Sequence, residues 1–144
     1  MQPDRDLIQG KIDIIEKNLN FLNEYKEMDE IFFLSNYKDI QAVKYSLFEI
    51  IEVSIDIASH LISVNGFERA ETYAEMFEIL GKKKIINLKL SNNLSAMARF
   101  RNILVHSYAK VDNSKVLAYI KEELKDVKDY INAVLKFLNL SKDF

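Results

Sequence analysis

The sequence has no cysteine among its 144 residues, which excludes disulfides, thiolate nucleophiles and cysteine-based zinc sites. The two histidines, His60 and His106, are too few for a histidine-rich metal site, and we predict neither a metal ion nor another cofactor. No apolar stretch approaches the roughly 20 residues that a membrane span needs, and the charged start of the chain has no apolar leader segment. We therefore expect a cytoplasmic protein with no membrane partner.

Glycine and proline are also scarce, with three glycines and a single proline, Pro3, at the very start. Sheets need many tight turns, and turns favour these two residues, so the composition indicates few turns and long helices. The length is that of one domain and is sufficient to bury a substantial core. We predict an all-α fold in a single domain that spans residues 1–144.

Apolar residues recur at spacings of three and four over most of the chain, which is typical of helices with one buried face. The regular stripes at both ends of the chain favour an antiparallel four-helix bundle with an additional short helix. The predicted helices cover residues 4–27, 39–64, 72–81 and 91–105, and a last helix starts near residue 112 or 114.

Local signals mark several helix ends. Asp4 is a candidate N-cap, and Gly66 is placed to end the second helix in a left-handed conformation. Thr72 and Glu75 have the spacing of a capping box, in which each side chain satisfies a free backbone N–H of the first turn. The segment around Phe33 is expected to form a short helical turn over one end of the core.

One side of the second helix has a polar character that allows two interpretations. Tyr45, Glu49, Asp56 and His60 lie opposite its apolar stripe, with Glu52 near them. Base rates for charged helix surfaces favour a solvent-exposed face. The alternative is an interface with a second protomer or another partner. For His60 alone a structural role is expected.

Charge is distributed unevenly along the chain. The net charge is −2, but residues 81–115 contain eight basic residues against the single acid Asp112, so this segment is +7 and the remainder −9. A local basic surface on an acidic body suits a phosphate-bearing ligand. A run such as Lys82–Lys84 is equally well explained as a solvated surface.

Arg101 is the anomaly in the fourth predicted helix. At about 100° per residue it falls near the middle of an apolar face that includes Leu94 and Met97. Burying an unpaired charge is very costly, so the guanidinium must either pair with a carboxylate of a neighbouring helix or line a cleft. These two alternatives stay open at this point.

His106 follows Arg101 by five residues, a spacing that separates two side chains on a continuous helix by about 140°. If the helix ends near Val105, the chain can turn His106 back toward Arg101. A histidine can transfer protons near neutral pH, and an arginine can hold a phosphate in a forked contact. Asn102 could orient the histidine or donate to a phosphate oxygen. These three residues are the predicted catalytic residues.

The segment 100–108, Phe-Arg-Asn-Ile-Leu-Val-His-Ser-Tyr, resembles the signature of HEPN-domain proteins, and most of all the HepT toxin branch with its pattern R-N-x3-H-x-Y. The resemblance extends from Asp39 to the C-terminus and includes residues 51–61 and 73–77. Residues before Asp39 show only a generic amphipathic helix.

The resemblance implies an endoribonuclease toxin that needs no metal and that carries two motifs facing each other across a homodimer cleft. It also implies a nucleotidyltransferase antitoxin that adenylylates Tyr108. RNA, with tRNA as one candidate, would be the substrate. Arg99 and Lys110, in the basic segment beside the motif, are predicted to contact RNA.

Two other functions are compatible with the sequence. One is a non-catalytic HEPN module that presents a nucleotide or substrate to a nucleotidyltransferase. The other is a structural helical dimer in which Arg101 forms an internal ion pair. The presence of both Arg101 and His106 favours the enzyme.

Overall fold

The computed structural model describes residues 2–106 and 112–142, and every regular element in these two ranges is a helix. The predicted all-α class is confirmed for these residues. Four helices are long and three are short, in the order α1 (Arg5–Asn23), α2 (Glu30–Leu34), α3 (Tyr37–Val64), α4 (Tyr73–Lys82), α5 (Leu88–His106), α6 (Asn113–Glu122) and α7 (Leu124–Lys142).

Side-chain caps begin most of these helices where the sequence offers a short polar residue. Asp4, Asp29 and Asn36 accept backbone N–H groups at the starts of α1, α2 and α3. Such caps satisfy N–H groups that have no partner within the helix. Gly66 has φ +66°, as predicted for the residue that follows the end of α3.

The predicted capping box of α4 is formed only in part. Thr72 Oγ1 accepts from Glu75 N at 3.1 Å, as expected. The Glu75 carboxylate, however, accepts from Glu71 N at 2.9 Å rather than from Thr72 N. The hydrogen bond to Glu75 therefore restrains Glu71, the residue before the N-cap Thr72. It still fixes the chain at the start of α4, as a complete capping box would.

The last predicted helix is two helices in the structure. Glu123 has φ −111° and ψ −8°, which ends α6 and redirects the chain into α7. The apolar stripe nevertheless continues across this break, because Leu117 and Ile120 before it and Leu124 and Val127 after it are all buried. The redirection lets α6 pack on α2 and α3 while α7 packs on α1 and α5.

The first and third helices run antiparallel, as predicted, with polar contacts along their length. Asp4 N donates to His60, Lys11 pairs with Asp56 and Asn18 donates to Glu49. The apolar stripe predicted for α1 is fully inside the core, and it consists of Ile8, Ile12, Ile15, Leu19 and Leu22.

Two serines and a glycine join α4 closely to α5. Ser91 Oγ donates to Phe77 O at 2.9 Å, and Ser95 Oγ donates to Ala74 O at 3.1 Å. Gly81 permits the approach, because a Cβ there would lie 2.6 Å from Ser91 Oγ. This contact fixes α4 alongside the part of α5 that leads to Arg101.

Candidate functional site: the surroundings of Arg101

Arg101 lies one turn beyond the buried residues of α5. Leu94 and Met97 are inside the core, and the arginine side chain continues their face with only 16% of its surface exposed. The predicted position of Arg101 on the apolar face is therefore correct. It faces α3 and α4, and both helices supply partners to its guanidinium.

The charge of Arg101 is met by Glu52 of α3, whose Oε1 accepts from Nε. A carboxylate of a neighbouring helix was one of the two alternatives left open by the sequence. The pair is partly open to solvent, since the Glu52 side chain is 34% exposed. Arg101 thus forms an ion pair that solvent can partly reach.

The polar side of α3 is only partly exposed to solvent. Glu52 meets Arg101 on α5, while Glu49, Asp56 and His60 meet residues on or just before α1. Tyr45 and Asp56 are exposed, whereas Glu49, Glu52 and His60 are partly buried. The helix is long enough to pack on α1, α4 and α5 at once, so its second side also finds partners within the chain.

Two aromatic rings flank the guanidinium. Its central carbon lies 5.7 Å from the ring centre of Phe48 on α3 and 5.2 Å from that of Tyr73, the first residue of α4. Rings at this distance stabilise a cation through their electron-rich faces and hold it in a fixed plane. Sequence reasoning missed both. Phe48 is four residues before Glu52, so it shares that face of α3, which is the one signal that could have indicated it.

The remaining donors of Arg101 determine what the site can bind. Asn102 Oδ1 accepts from Nη1 at 3.3 Å, and Glu52 occupies Nε. A guanidinium has five N–H donors, so three of them have no acceptor among the residues that the structure describes. Their forked geometry matches two oxygens of a phosphate.

His106 is the last residue of α5 that the structure describes, so the helix continues at least one residue beyond the predicted end near Val105. Its Cα lies about 140° around the helix from that of Arg101 and about 7.5 Å further along the axis. The side chain of His106 lies outside the described part of the structure, as do Tyr108 and Lys110. Whether His106 turns back toward Arg101 therefore stays a prediction.

Arg99 lies about 160° around α5 from Arg101 and is not part of the same site. It pairs with Glu78 of α4 at 3.6 Å, and both side chains are largely exposed. An RNA contact by Arg99 would have to be made on a different side of α5.

A shallow cavity of about 260 Å³ adjoins the site on the α3 side. Phe48 belongs both to this cavity and to the set of residues around Arg101. The other residues that line it are Gln41, Lys44, Tyr45, Leu104 and Val105. A flat, partly apolar group bound next to the guanidinium would fit there.

Neither a metal cluster nor a membrane helix is found in the described ranges. Within residues 2–106 and 112–142, no three His, Asp or Glu side chains are grouped so that they could hold a metal ion. None of the helices described is both long and apolar enough to cross a membrane.

The all-helical fold is similar to that of a solved HEPN toxin structure. The family model described as "Ribonuclease HepT-like" matches residues 15–134, which is most of the chain. This match begins upstream of Asp39, so it extends further than the resemblance seen in the sequence.

Individual relatives agree with the family model. The tRNA nuclease HepT of Aphanizomenon flos-aquae is 25% identical over 132 residues, covering 92% of this chain and 90% of that protein. The mRNA nuclease HepT of Shewanella oneidensis is 29% identical over 83 residues, covering 58% of this chain and 62% of that protein. A solved structure of a tri-AMPylated HEPN toxin from Shewanella oneidensis, in complex with MNT antitoxin, superposes with a TM-score of 0.84 at 25% identity, over 92% of this chain and 99% of that one.

The chain belongs to the HepT-like ribonuclease family. The family predicted from the R-N-x3-H-x-Y pattern is confirmed, and with it the predicted class of enzyme.

Proposed function

We propose that this protein is an endoribonuclease toxin that cleaves RNA with Arg101, Asn102 and His106 and is controlled by a nucleotidyltransferase antitoxin. The observation that carries the proposal is the arrangement around Arg101. Glu52, Phe48 and Tyr73 surround a guanidinium that keeps three N–H donors without an acceptor among the described residues. Such a group is arranged in advance for an anion, which is how transition-state charge is stabilised most effectively.

The reaction we propose is attack of a ribose 2′-hydroxyl on the adjacent phosphorus. The new 2′-O–P bond forms while the P–O5′ bond breaks, which leaves a cyclic phosphate and a free 5′-hydroxyl. One His106 accepts the proton of the 2′-hydroxyl and a protonated histidine donates to the leaving 5′-oxygen. Arg101 bonds the non-bridging oxygens, where negative charge increases in the transition state. No step requires a metal ion.

Two copies of the chain would complete the site. One helix places Arg101 and His106 about 140° apart, so a single copy does not bring both onto one phosphate through helix geometry alone. A two-fold axis that places two copies of the motif face to face doubles both the positive charge and the number of proton-transfer groups. We therefore propose a homodimer with the cleft between its protomers.

Control by adenylylation is proposed at Tyr108. The Shewanella oneidensis HEPN toxin is tri-AMPylated and forms a complex with MNT antitoxin. On this chain the Tyr108 hydroxyl would attack the α-phosphate of ATP, forming a tyrosyl phosphodiester and releasing pyrophosphate. The added anion, two residues from His106, would compete with RNA for Arg101. Mass spectrometry after incubation with ATP and the neighbouring nucleotidyltransferase tests this step, and an unmodified Tyr108 would contradict it.

The decisive experiment compares cleavage of tRNA and mRNA by the wild type, Arg101→Ala and His106→Ala, because relatives act on both kinds of RNA. Each substitution should lower the cleavage rate by about 10²-fold or more, as expected for loss of charge stabilisation or proton transfer. His60→Ala and the exposed Arg69→Ala are matched controls and should cleave like the wild type. Wild-type activity should persist in EDTA, and light scattering should give a dimer.

One observation favours a different function. The Arg101–Glu52 pair is also what a structural arginine would form, so a non-catalytic module working with a nucleotidyltransferase is the second candidate. In that case Arg101→Ala would lower the free energy of unfolding, and no form of the protein would cleave RNA. Equal cleavage by the wild type and both alanine variants would likewise exclude the proposed active site.

A further inference from the structure

A concave surface larger than the cavity beside Phe48 lies toward the other end of α5. It is a groove of about 920 Å³ between the α4–α5 connection, the start of α5 and one face of α7. Five lysines line it, namely Lys83, Lys84, Lys89, Lys125 and Lys136. Nothing in the proposed catalytic site uses this groove.

The groove is strongly basic even though two aspartates also line it. Asp126 is buried and accepts from Asn93 Nδ2 at 3.4 Å, so little of its carboxylate is exposed to the groove. Asp129 is the one exposed acid among the lining residues, against five exposed lysines. The first turn of α5 also lies there, and the N-terminal end of a helix carries a partial positive charge.

The residue types indicate a ligand that is recognised through its phosphates. Lysine supplies compact point charges, and the lining also contains four asparagines (Asn65, Asn87, Asn93 and Asn132). The amides of Asn65 and Asn93 each already donate one hydrogen bond within the chain. The lining contains no arginine and only one aromatic residue, so it offers little for stacking or for reading base edges. Such a surface suits binding that is independent of base sequence.

The length of the groove favours a polynucleotide over a single nucleotide. Lys125, Asn132 and Lys136 lie on one side of α7, and the two lysines are separated by about 16 Å along the helix. One strand of a duplex advances only about 3.4 Å along the axis per phosphate, so several phosphates fit this span.

We infer that this groove binds the phosphate backbone of RNA at a distance from the cleavage site, an inference that rests on the proposed function. The groove and the proposed catalytic site share α5, in which Asn93 precedes Arg101 by about 12 Å along the axis and about 80° around it. A strand that reaches both must therefore extend several nucleotides beyond the bond that is cut. Short RNA would occupy only the proposed catalytic site.

The test measures binding of a 2′-O-methyl RNA 20-mer, which cannot be cleaved, to the full-length protein. K125Q/K136Q removes two groove charges, and K17Q/K38Q removes two exposed lysines that do not line the groove and serves as the matched control. The groove pair should weaken binding about tenfold or more and lower the slope of log K against log salt by about 1.4, since each single-strand phosphate contact contributes about 0.7. The control pair should leave affinity within about twofold of the wild type. Urea unfolding verifies that both variants are folded.

Cleavage kinetics give a second readout. With a 20-mer substrate, K125Q/K136Q should raise KM and leave kcat unchanged, whereas with a trinucleotide it should match the wild type. Equal 20-mer binding by the two double variants would overturn the inference while leaving the proposed nuclease intact. Groove-dependent binding by a wild type that cuts no RNA would instead support the groove and contradict the nuclease.

Other occupants of the groove have distinct outcomes. Full displacement of the 20-mer by AMP or ATP at equal phosphate concentration would show a mononucleotide site and overturn the inference. The inference is also overturned if K125Q/K136Q retains RNA affinity but loses binding to the nucleotidyltransferase, because the groove would then be a protein-binding surface.

Discussion

At the scale of single residues, Arg101 is held by contacts of three kinds. Glu52 supplies a charge, Asn102 supplies an amide oxygen, and two aromatic rings confine the plane of the guanidinium. A lysine at this position could keep the charge but not the plane or the fork. The site thus depends on the shape of the arginine side chain as much as on its positive charge.

Arg101→Lys should therefore impair the site even though it keeps the positive charge. We expect kcat to fall about tenfold to a hundredfold, with KM less affected, because a point charge cannot bond two phosphate oxygens at once. Steady-state cleavage of a defined RNA measures the effect. Retention of full kcat would mean that only the charge of Arg101 matters.

Glu52 is expected to act as a positioning residue. Glu52→Gln retains an oxygen that can accept from Nε but removes the charge, so kcat should fall several-fold while the free energy of unfolding changes by about 1 kcal/mol or less. Glu49→Gln is the control, one turn earlier on α3 and in contact with Asn18 instead. If both variants reduce kcat alike, the effect does not operate through Arg101.

At the scale of helices, the sequence predicted well wherever a periodic pattern or a cap decides the structure. The stripes of α1 and α3 and the left-handed Gly66 are in place, because burial and backbone sterics are local consequences of residue type. The break between α6 and α7 at Glu123 was not predicted, because the apolar stripe continues across it and only tertiary packing redirects the chain. Arg101 could be recognised from its helix face, but Glu52 and Tyr73 are distant in sequence and meet it only after folding.

Replacing a glycine by alanine should change the free energy of unfolding in opposite directions at two positions, Gly81 at the contact between α4 and α5 and Gly10 in α1. Gly81→Ala should lower the free energy of unfolding by about 1–3 kcal/mol, because the added methyl group would lie 2.6 Å from Ser91 Oγ. Gly10→Ala, in the interior of α1 with open space around it, should raise that free energy by about 0.5–1 kcal/mol. Urea unfolding measures both. Stabilisation by Gly81→Ala would show that α4 and α5 can separate at little cost.

At the scale of the whole molecule, buried tyrosines make the free energy of unfolding depend on pH. Burial and a hydrogen bond to Asp39 raise the pKa of Tyr25 to about 12. Burial also raises the pKa of Tyr119 and Tyr130, and Tyr130 donates its hydroxyl to Ser54 O at 2.9 Å in the middle of the bundle. In the unfolded chain all three would ionise near pH 10.

The contribution of these tyrosines to the free energy of unfolding should therefore be fully present below about pH 10. It should decrease as the pH rises toward 12. A raised pKa means that the unfolded chain releases protons first, and each such tyrosine contributes up to about 1.4 kcal/mol per pH unit in that window. Urea unfolding from pH 9 to 11.5 measures the decline. Tyr25→Phe should make it shallower, and an unchanged slope in this variant would exclude Tyr25 as a contributor.

The unbroken course of α5 also has an evolutionary consequence. The same helix contacts α4 through Ser91 and Ser95 and then presents Arg101 to α3, with no loop between these points to absorb a change in length. One inserted residue would rotate Arg101 by about 100° away from Glu52 while leaving the serine contacts intact. Insertions and deletions among related chains should accordingly accumulate before Leu88 and be rejected between Ser95 and Arg101. The number of residues between Ser95 and Arg101 would then be conserved more strictly than the identities of most of these residues.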